Sequence, residues 1–518
     1  MTWRLVGAIL ALAAGTGEAQ TVDGTVVDPD AELVVAVPDD TTNMDPRIGM
    51  GSTRSNYIRQ VFESLVDVDA QGKPVPGLAL SWKPVGDLAW EFTLRRGVTF
   101  HNGEAFNADT VLFNLDRMFR RGLDRWGIKD VTAGTSFEKV YSTVARWEKT
   151  GDYTVRIYTS EPVPNLWDFI GREPLVPREY TVKNGVEGLN ERPVGTGSWK
   201  MAGWKRGDSM RFERYEGYWG PPPLFKRLRF QVIPEAGARL AALRAGQVTL
   251  VDAVPPLARP KDKFDSGGRD GLFTDPRVRL ALNLAVNKDG IVQKIFHGYA
   301  QANASPVSTV SSGYAAQEPY AYDVKRARVL LAEAGWKDAG PDGVLKPDAV
   351  LKKDGETLTL QLLFPVKHYG QAFDETTAAV AEMLKAVGVQ VVIKPIDFGT
   401  LLQTVTKGTL PYNGGFSSCR TSNNLDADDY LRDWTAITLI NWSPYPADLA
   451  DLYRATRREV DPQKRLKLLA ELQRRVRDWA PVVSLYQEVK IYAASARVLR
   501  FVPLTDLHMD FRGVALRK

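Results

Sequence analysis

The chain of 518 residues has a single cysteine, Cys419, so no internal disulfide can form and stability has to come from core burial. Its four histidines (His101, His297, His368, His508) stand singly, with no HExxH or other paired spacing that would ligate a metal. No GxSxG elbow and no Walker A loop occurs, which removes the usual signatures of esterases and nucleotide hydrolases. Charge of one sign is also scarce: Lys+Arg 67 against Asp+Glu 62 leaves +5, too little at this length for a nucleic-acid binder. Beyond the N-terminus there is no run of the ~20 apolar residues that a membrane helix needs. Hydrophobic content of 44% and charged content of 25% are those of a globular protein. The length exceeds what one core usually supports, so two or three domains are expected.

The N-terminus reads as an export signal, with Arg4 as the charged region, Leu5 to Ala14 as the apolar run, and Gly17-Glu18-Ala19 as a small-x-small cleavage site. A mature start at Gln20 is expected.

The most legible stretch runs from Gly77 to Met118. Trp90, Phe92 and Leu94 alternate with Glu91, Thr93 and Arg95, the period of a half-buried strand. Val98-Thr99-Phe100 reads as a second short strand, closed by His101-Asn102-Gly103-Glu104. Asn107 is placed to cap a helix whose apolar positions are Val111, Leu115, Met118 and Phe119. Together, GLALSW, a turn, and WEFTLRRGVTFHNGEAFNADTVLFNLDRM resemble the signature segment of the family 5 extracellular solute-binding proteins, the dipeptide-, oligopeptide- and nickel-binding receptors of ABC importers.

Other segments carry the same resemblance. Phe62-Glu63-Ser64-Leu65-Val66 is similar to the family's YEGLV motif, and Pro193-Val194-Gly195-Thr196-Gly197 to its PVGTG loop, where two glycines permit close backbone approach. Gly217-Tyr218-Trp219-Gly220, Asp275 to Leu282, and Tyr322 to Trp336 also follow the family pattern, with Gly335 as a helix stop. Leu358 to Phe364, Val380 to Leu384 and Val387 to Ile393 stand in strand-helix-strand order, as in a largely parallel sheet. Val482 to Tyr486 resembles the strand by which the chain returns to its first lobe. One departure stands out: after Val254-Pro255-Pro256 only a polar, glycine-rich loop precedes Asp275, where relatives carry an interlobe strand.

The resemblance implies an α/β fold of the periplasmic binding protein type, two lobes (type II, with an extra subdomain in the first lobe) joined by a hinge. The implied organisation is a signal peptide at 1–19, first lobe at 20–66, extra subdomain at 67–187, first lobe again at 188–270, second lobe at 271–483, and a return to the first lobe at 484–518. It implies a short-peptide or other small-molecule ligand, an ABC permease and ATPase complex as partners, a monomer, no nucleic acid and no cofactor. With no cysteine after the signal to carry a lipid anchor, a free periplasmic location is expected.

Candidate ligand residues also follow from the resemblance. The segment from Phe416 to Tyr430 stands where peptide-binding relatives have a loop whose aspartate grips the peptide's ammonium. Here Asn423 takes that place and Arg420 replaces the usual Trp. An amide loses the charge-assisted preference for an ammonium, while a guanidinium suits a carboxylate. Asp426 is a further candidate ligand residue of this loop, though it or Asp428 could instead hold Arg420 in a salt bridge. Met50, Arg125 with Trp126, and Arg172 match the pocket of nickel-chelate relatives, and Asn43 and Arg54 flank the loop after the first strand, where open α/β sheets bind ligands. Carboxylate-bearing solutes are therefore favoured: acidic peptides, opine-like conjugates or metal chelates. Asp265-Ser266-Gly267-Gly268 is similar to a protease nucleophile loop but lacks its histidine and aspartate contexts. No enzyme activity is expected. A binding protein for signalling or chaperoning, and more remotely a periplasmic hydrolase, are the alternatives.

Overall fold

The computed structural model describes residues 21–47, 52–127, 142–252, 274–337, 350–365, 371–406, 414–416, 426–435, 446–488, 490–504 and 508–518. Met50, Arg420 and Asn423, and the loop expected at 253–273, lie outside them.

The first lobe is built on a six-stranded sheet ordered Trp199–Lys205, Ser209–Arg214, Arg227–Val232, Glu32–Val37, Leu250–Val251, Ala493–Ala494. Glu32–Val37 is its centre and pairs in parallel with Arg227–Val232 on one side and Leu250–Val251 on the other. A central strand is covered on both faces, which is why ELVVAV reads as a continuous apolar run with Leu33, Val35, Ala36 and Val37 fully buried. Helix Ser52–Val61 lays Tyr57, Ile58 and Val61 on this core. The PVGTG loop packs onto the end of that helix so closely that a Cβ at Gly195 would sit 1.9 Å from the Val61 carbonyl oxygen. Glycine is required there for space.

The subdomain carries a four-stranded antiparallel sheet, Ala79–Pro84, Ala89–Leu94, Thr154–Thr159 and Val144–Gly151. Phe92, Leu94, Val155 and Ile157 line one buried face, and helix Ala108–Phe119 covers it with Val111, Leu115 and Phe119. Asn107 caps that helix by accepting from the Thr110 amide at 3.2 Å. Val98-Thr99-Phe100 does not form the expected strand. Only Thr99 bridges, to Ala105, because Phe106 and Phe100 bond back to Val98 and Glu104 and the segment closes on itself.

In the second lobe, Gln390–Ile396, Thr359–Pro365 and Gly414–Phe416 form a parallel three-stranded sheet, with helix Gln371–Lys385 as the crossover between the first two. Helices Pro276–Ala285 and Val324–Glu333 pack beside it, capped by Asp275 and Asp323. Gly335 follows the second of them with φ +91°, a left-handed stop. A second core gathers helices Ala427–Thr435, Ala447–Arg458 and Pro462–Trp479 around Leu431, Tyr453, Leu469, Leu472 and Val476. Strand Tyr486–Glu488 still pairs with Ala300–Ala302 of the second lobe, and the chain rejoins the first-lobe sheet at Ala493–Ala494. Among the described residues no helix is long and apolar enough to cross a membrane.

Candidate functional site

The loop after strand Glu32–Val37 is held open by its own hydrogen bonds. Thr41 Oγ1 donates to the Asn43 carbonyl at 2.8 Å, and Asp40 accepts from Trp204 Nε1 at 3.1 Å and from the Gly207 amide at 2.7 Å. Arg54 Nη2 donates to Asn43 Oδ1 at 3.1 Å and to the Asp45 carbonyl, so these two predicted residues meet. Desolvation pushes the Arg54 guanidinium down to about 10. Asp45, fully buried, pairs with Arg117 at 2.7 Å. An open groove of about 450 Å³ lies beside this loop, between Asn190–Arg192 and Met201–Arg206.

Arg125 and Trp126 are placed elsewhere, on the subdomain. Both donate to one oxygen of Asp116, Arg125 through Nε at 2.6 Å, while Trp147 Nε1 reaches the other oxygen at 2.8 Å. Asp116 is 1% exposed, so this is a buried carboxylate with its acceptor sites filled from within its own subdomain.

Arg172 lies against the Ser64–Val66 segment that follows helix Ser52–Val61. The short helix Leu166–Phe169 leads into Gly171, whose carbonyl accepts from the Val66 amide at 2.7 Å, and Ser64 Oγ donates to the Arg172 carbonyl at 2.7 Å. Arg172 Nη1 reaches Asp168 Oδ1 at 3.1 Å, and both side chains are almost fully buried. Burial drives the Asp168 carboxyl up to about 7 against the pull of Arg172, and the charges of Asp426 and Asp429 raise it further. Glu173 is likewise pushed up to about 7 by desolvation, opposed by Arg172, Arg59 and Arg54.

Asp426 and Asp429 belong to the second lobe, at the start of helix Ala427–Thr435. Their charges act on Asp168 from the second lobe. Arg465 holds Asp426 in a two-pronged ion pair, 2.8 and 3.0 Å, so the acid that the sequence offered to Arg420 already has a partner. Arg458 of the second lobe also reaches Glu161 of the first at 3.4 Å. The sequence reading had Arg172 and Asp426 on its list but missed Asp168, Glu173 and Arg465. One signal was available: Asp168, and four residues on Arg172 and Glu173, interrupt the largely apolar NLWDFIGREPLVP.

His101 is structural: it is half-buried, Nε2 lies 2.8 Å from the Gly197 carbonyl, and desolvation lowers its ring to about 4, which keeps it neutral. Among the described residues no three His, Cys, Asp or Glu side chains gather as a metal site.

Two α/β lobes, each with its own core, that the chain links by crossing back from the second to the first and that meet at a charged seam define a periplasmic binding protein of type II. The chain belongs to the bacterial extracellular solute-binding proteins, family 5, whose middle-region profile matches residues 73–436. It is 25% identical over 399 residues to the oligopeptide-binding protein AppA of Bacillus subtilis, covering 72% of this chain and 70% of that one. It is also 25% identical over 523 residues to the glutathione-binding protein GsiB of Salmonella choleraesuis, with 94% of each covered. The crystal structure of NikA from Brucella suis in complex with Fe(III)-EDTA superposes with a TM-score of 0.79 at 22% identity, over 94% of this chain and 100% of that one.

Proposed function

We propose that this chain is the substrate-binding protein of an ABC importer, which captures a short peptide or a related carboxylate-bearing small solute between its lobes and delivers it to a membrane permease and ATPase. The observation that carries this reading is the seam, where Arg458 of one lobe pairs with Glu161 of the other at 3.4 Å and the buried Arg172–Asp168 pair lies within electrostatic reach of Asp426 and Asp429. Ligand drives closure only through contacts to both lobes at once, and a seam lined with charge from both sides offers such contacts to a small zwitterion. The oligopeptide- and glutathione-binding relatives support peptide-like cargo. Asn43, Arg54 and Arg172 are the described residues assigned to the ligand, with Met50, Arg420 and Asn423 added from the family resemblance. The chain works as a monomer, exported through a cleaved signal and free in the periplasm without a lipid anchor.

Native mass spectrometry of the purified protein, followed by thermal-shift screening of di- and tripeptides, tests this. A ligand at 100 times its Kd stabilises the folded state by about 2.7 kcal/mol, a readily measured rise in melting point. Arg420→Ala weakens binding of the solute so found at least about tenfold, or about 1.4 kcal/mol. An unchanged Kd removes Arg420 from the site.

A further inference from the structure

The described crossing from the second lobe back to the first is short. Tyr486–Glu488 still pairs with Ala300–Ala302, and Gln487 accepts from the Thr309 amide at 2.8 Å, so the chain belongs to the second lobe up to Glu488. From Ala493 it belongs to the first: Ala493–Ala494 pairs with Leu250–Val251, and the Ser495 amide donates to the Thr249 carbonyl at 2.9 Å. That landing strand grips weakly by itself. It has two residues, both alanine, it lies at the edge of the sheet, and Ala494 is exposed. Alanine buries little apolar surface, so its pairing gains little from side-chain packing.

Two side chains just before it reach into the first lobe. Tyr492 packs against the core there, in a T-shaped contact with Phe501 at 5.4 Å. Lys490 Nζ stands 2.8 Å from Asp252 Oδ1 and 5.2 Å from the Tyr492 ring. Asp252 continues strand Leu250–Val251, its amide donates to the Ala36 carbonyl at 2.9 Å, and its side chain is fully buried. Among the described residues no second cation stands within ion-pair distance of it. Removing one partner of a buried pair strands an uncompensated charge and is strongly destabilising, whereas replacing both by apolar or neutral groups is often close to neutral. Lys490 therefore stays on Asp252 while the lobes rotate.

We propose that the Asp252–Lys490 pair is a hinge anchor. It fixes the crossing to the first lobe from Lys490 onward in the open and the closed form, and so limits the range of angles that the lobes sample. Both are then positioning residues, acting on affinity through the fraction of unliganded molecules poised to close. This rests on the reading that the lobes open and close around a solute.

Double electron–electron resonance on the unliganded full chain tests the anchor. Spin labels go on Glu213→Cys of the first-lobe sheet and Lys325→Cys of helix Val324–Glu333, both exposed, in a Cys419→Ser background. The variant combines Asp252→Asn with Lys490→Met, which removes both charges at similar side-chain volume and spares the fold a stranded carboxylate. Its interlobe distance distribution should be about twice as wide as that of the wild type. An unchanged width overturns the anchor. A second measurement needs no variant: on acetylation of the unliganded wild type, read by peptide mass spectrometry, Lys490 should react at least about tenfold more slowly than the exposed Lys183 and Lys325. Equal reactivity means that the pair opens freely and also overturns it. Neither measurement uses a ligand, so both can fail with solute capture intact. Capture is decided by the thermal-shift screen, and a solute found there that leaves the wild-type interlobe distance unmoved removes the lobe motion and this proposal with it.

Discussion

Two aspartates of the same subdomain, Asp116 and Asp168, are buried to almost the same degree, at 1% and 2% exposure. Asp116 accepts from Arg125, Trp126 and Trp147, with both oxygens used. Asp168 has one donor on one oxygen. The first arrangement resolves the cost of burying a charge within the fold. The second leaves part of that cost uncompensated. Burial alone therefore does not say whether a carboxylate's charge is compensated, whereas the count of donors does.

The comparison breaks most directly at Asp116. Asp116→Ala takes a buried acceptor away from the exposed Arg125 and from two half-buried indole N–H groups, and leaving polar groups unpaired in this way costs about 1–3 kcal/mol. Denaturant unfolding measures it, and a loss under about 1 kcal/mol would put Asp116 in the same category as Asp168. Asp168→Asn should act in the opposite direction in the unliganded protein at alkaline pH. A carboxyl whose folded value lies above its unfolded one contributes stability that is fully present below the unfolded value, 3.8, and is lost as pH rises through about 7. The Asn variant should melt a few degrees above wild type at pH 8, with the gap narrowing as pH falls below about 7 and closing only below 3.8. A gap that is flat with pH would mean that Asp168 does not titrate in this range. The smallest effect belongs to Arg458→Ala. Its pair with Glu161 is exposed at the rim of the seam, so its loss changes stability by about 0–1 kcal/mol and shifts the closed population correspondingly little, as small-angle scattering would read.

Much of the fold was legible because it is local. Strand alternation at Trp90 to Arg95, the cap at Asn107 and the stop at Gly335 each depend on a few neighbouring residues, and the structure has all three. The Asp116 cluster was not legible, since its donors lie up to 31 positions away and converge only when the sheet forms. Reading Arg125 and Trp126 as ligand contacts had no way to weigh that competing partner. The seam was harder still. Asp168 and Asp426 are distant in sequence and belong to different lobes, so nothing in either segment marks the other. Val98–Phe100 shows the converse: a β-prone triplet too short to reach the sheet bonds to its own turn instead.

The first lobe draws its last pieces from the far end of the chain. Ala493–Ala494 completes its sheet, the Met509 amide donates to Asn56 at 2.8 Å, and Phe511 and Leu516 sit in its core. A ribosome or a secretion channel delivers residues in order, so the lobe begun first is finished last, while the contiguous second lobe has all its parts earlier. Truncation of even the final ten residues removes Phe511 and Leu516, and should leave the second lobe structured and the first unable to close its core.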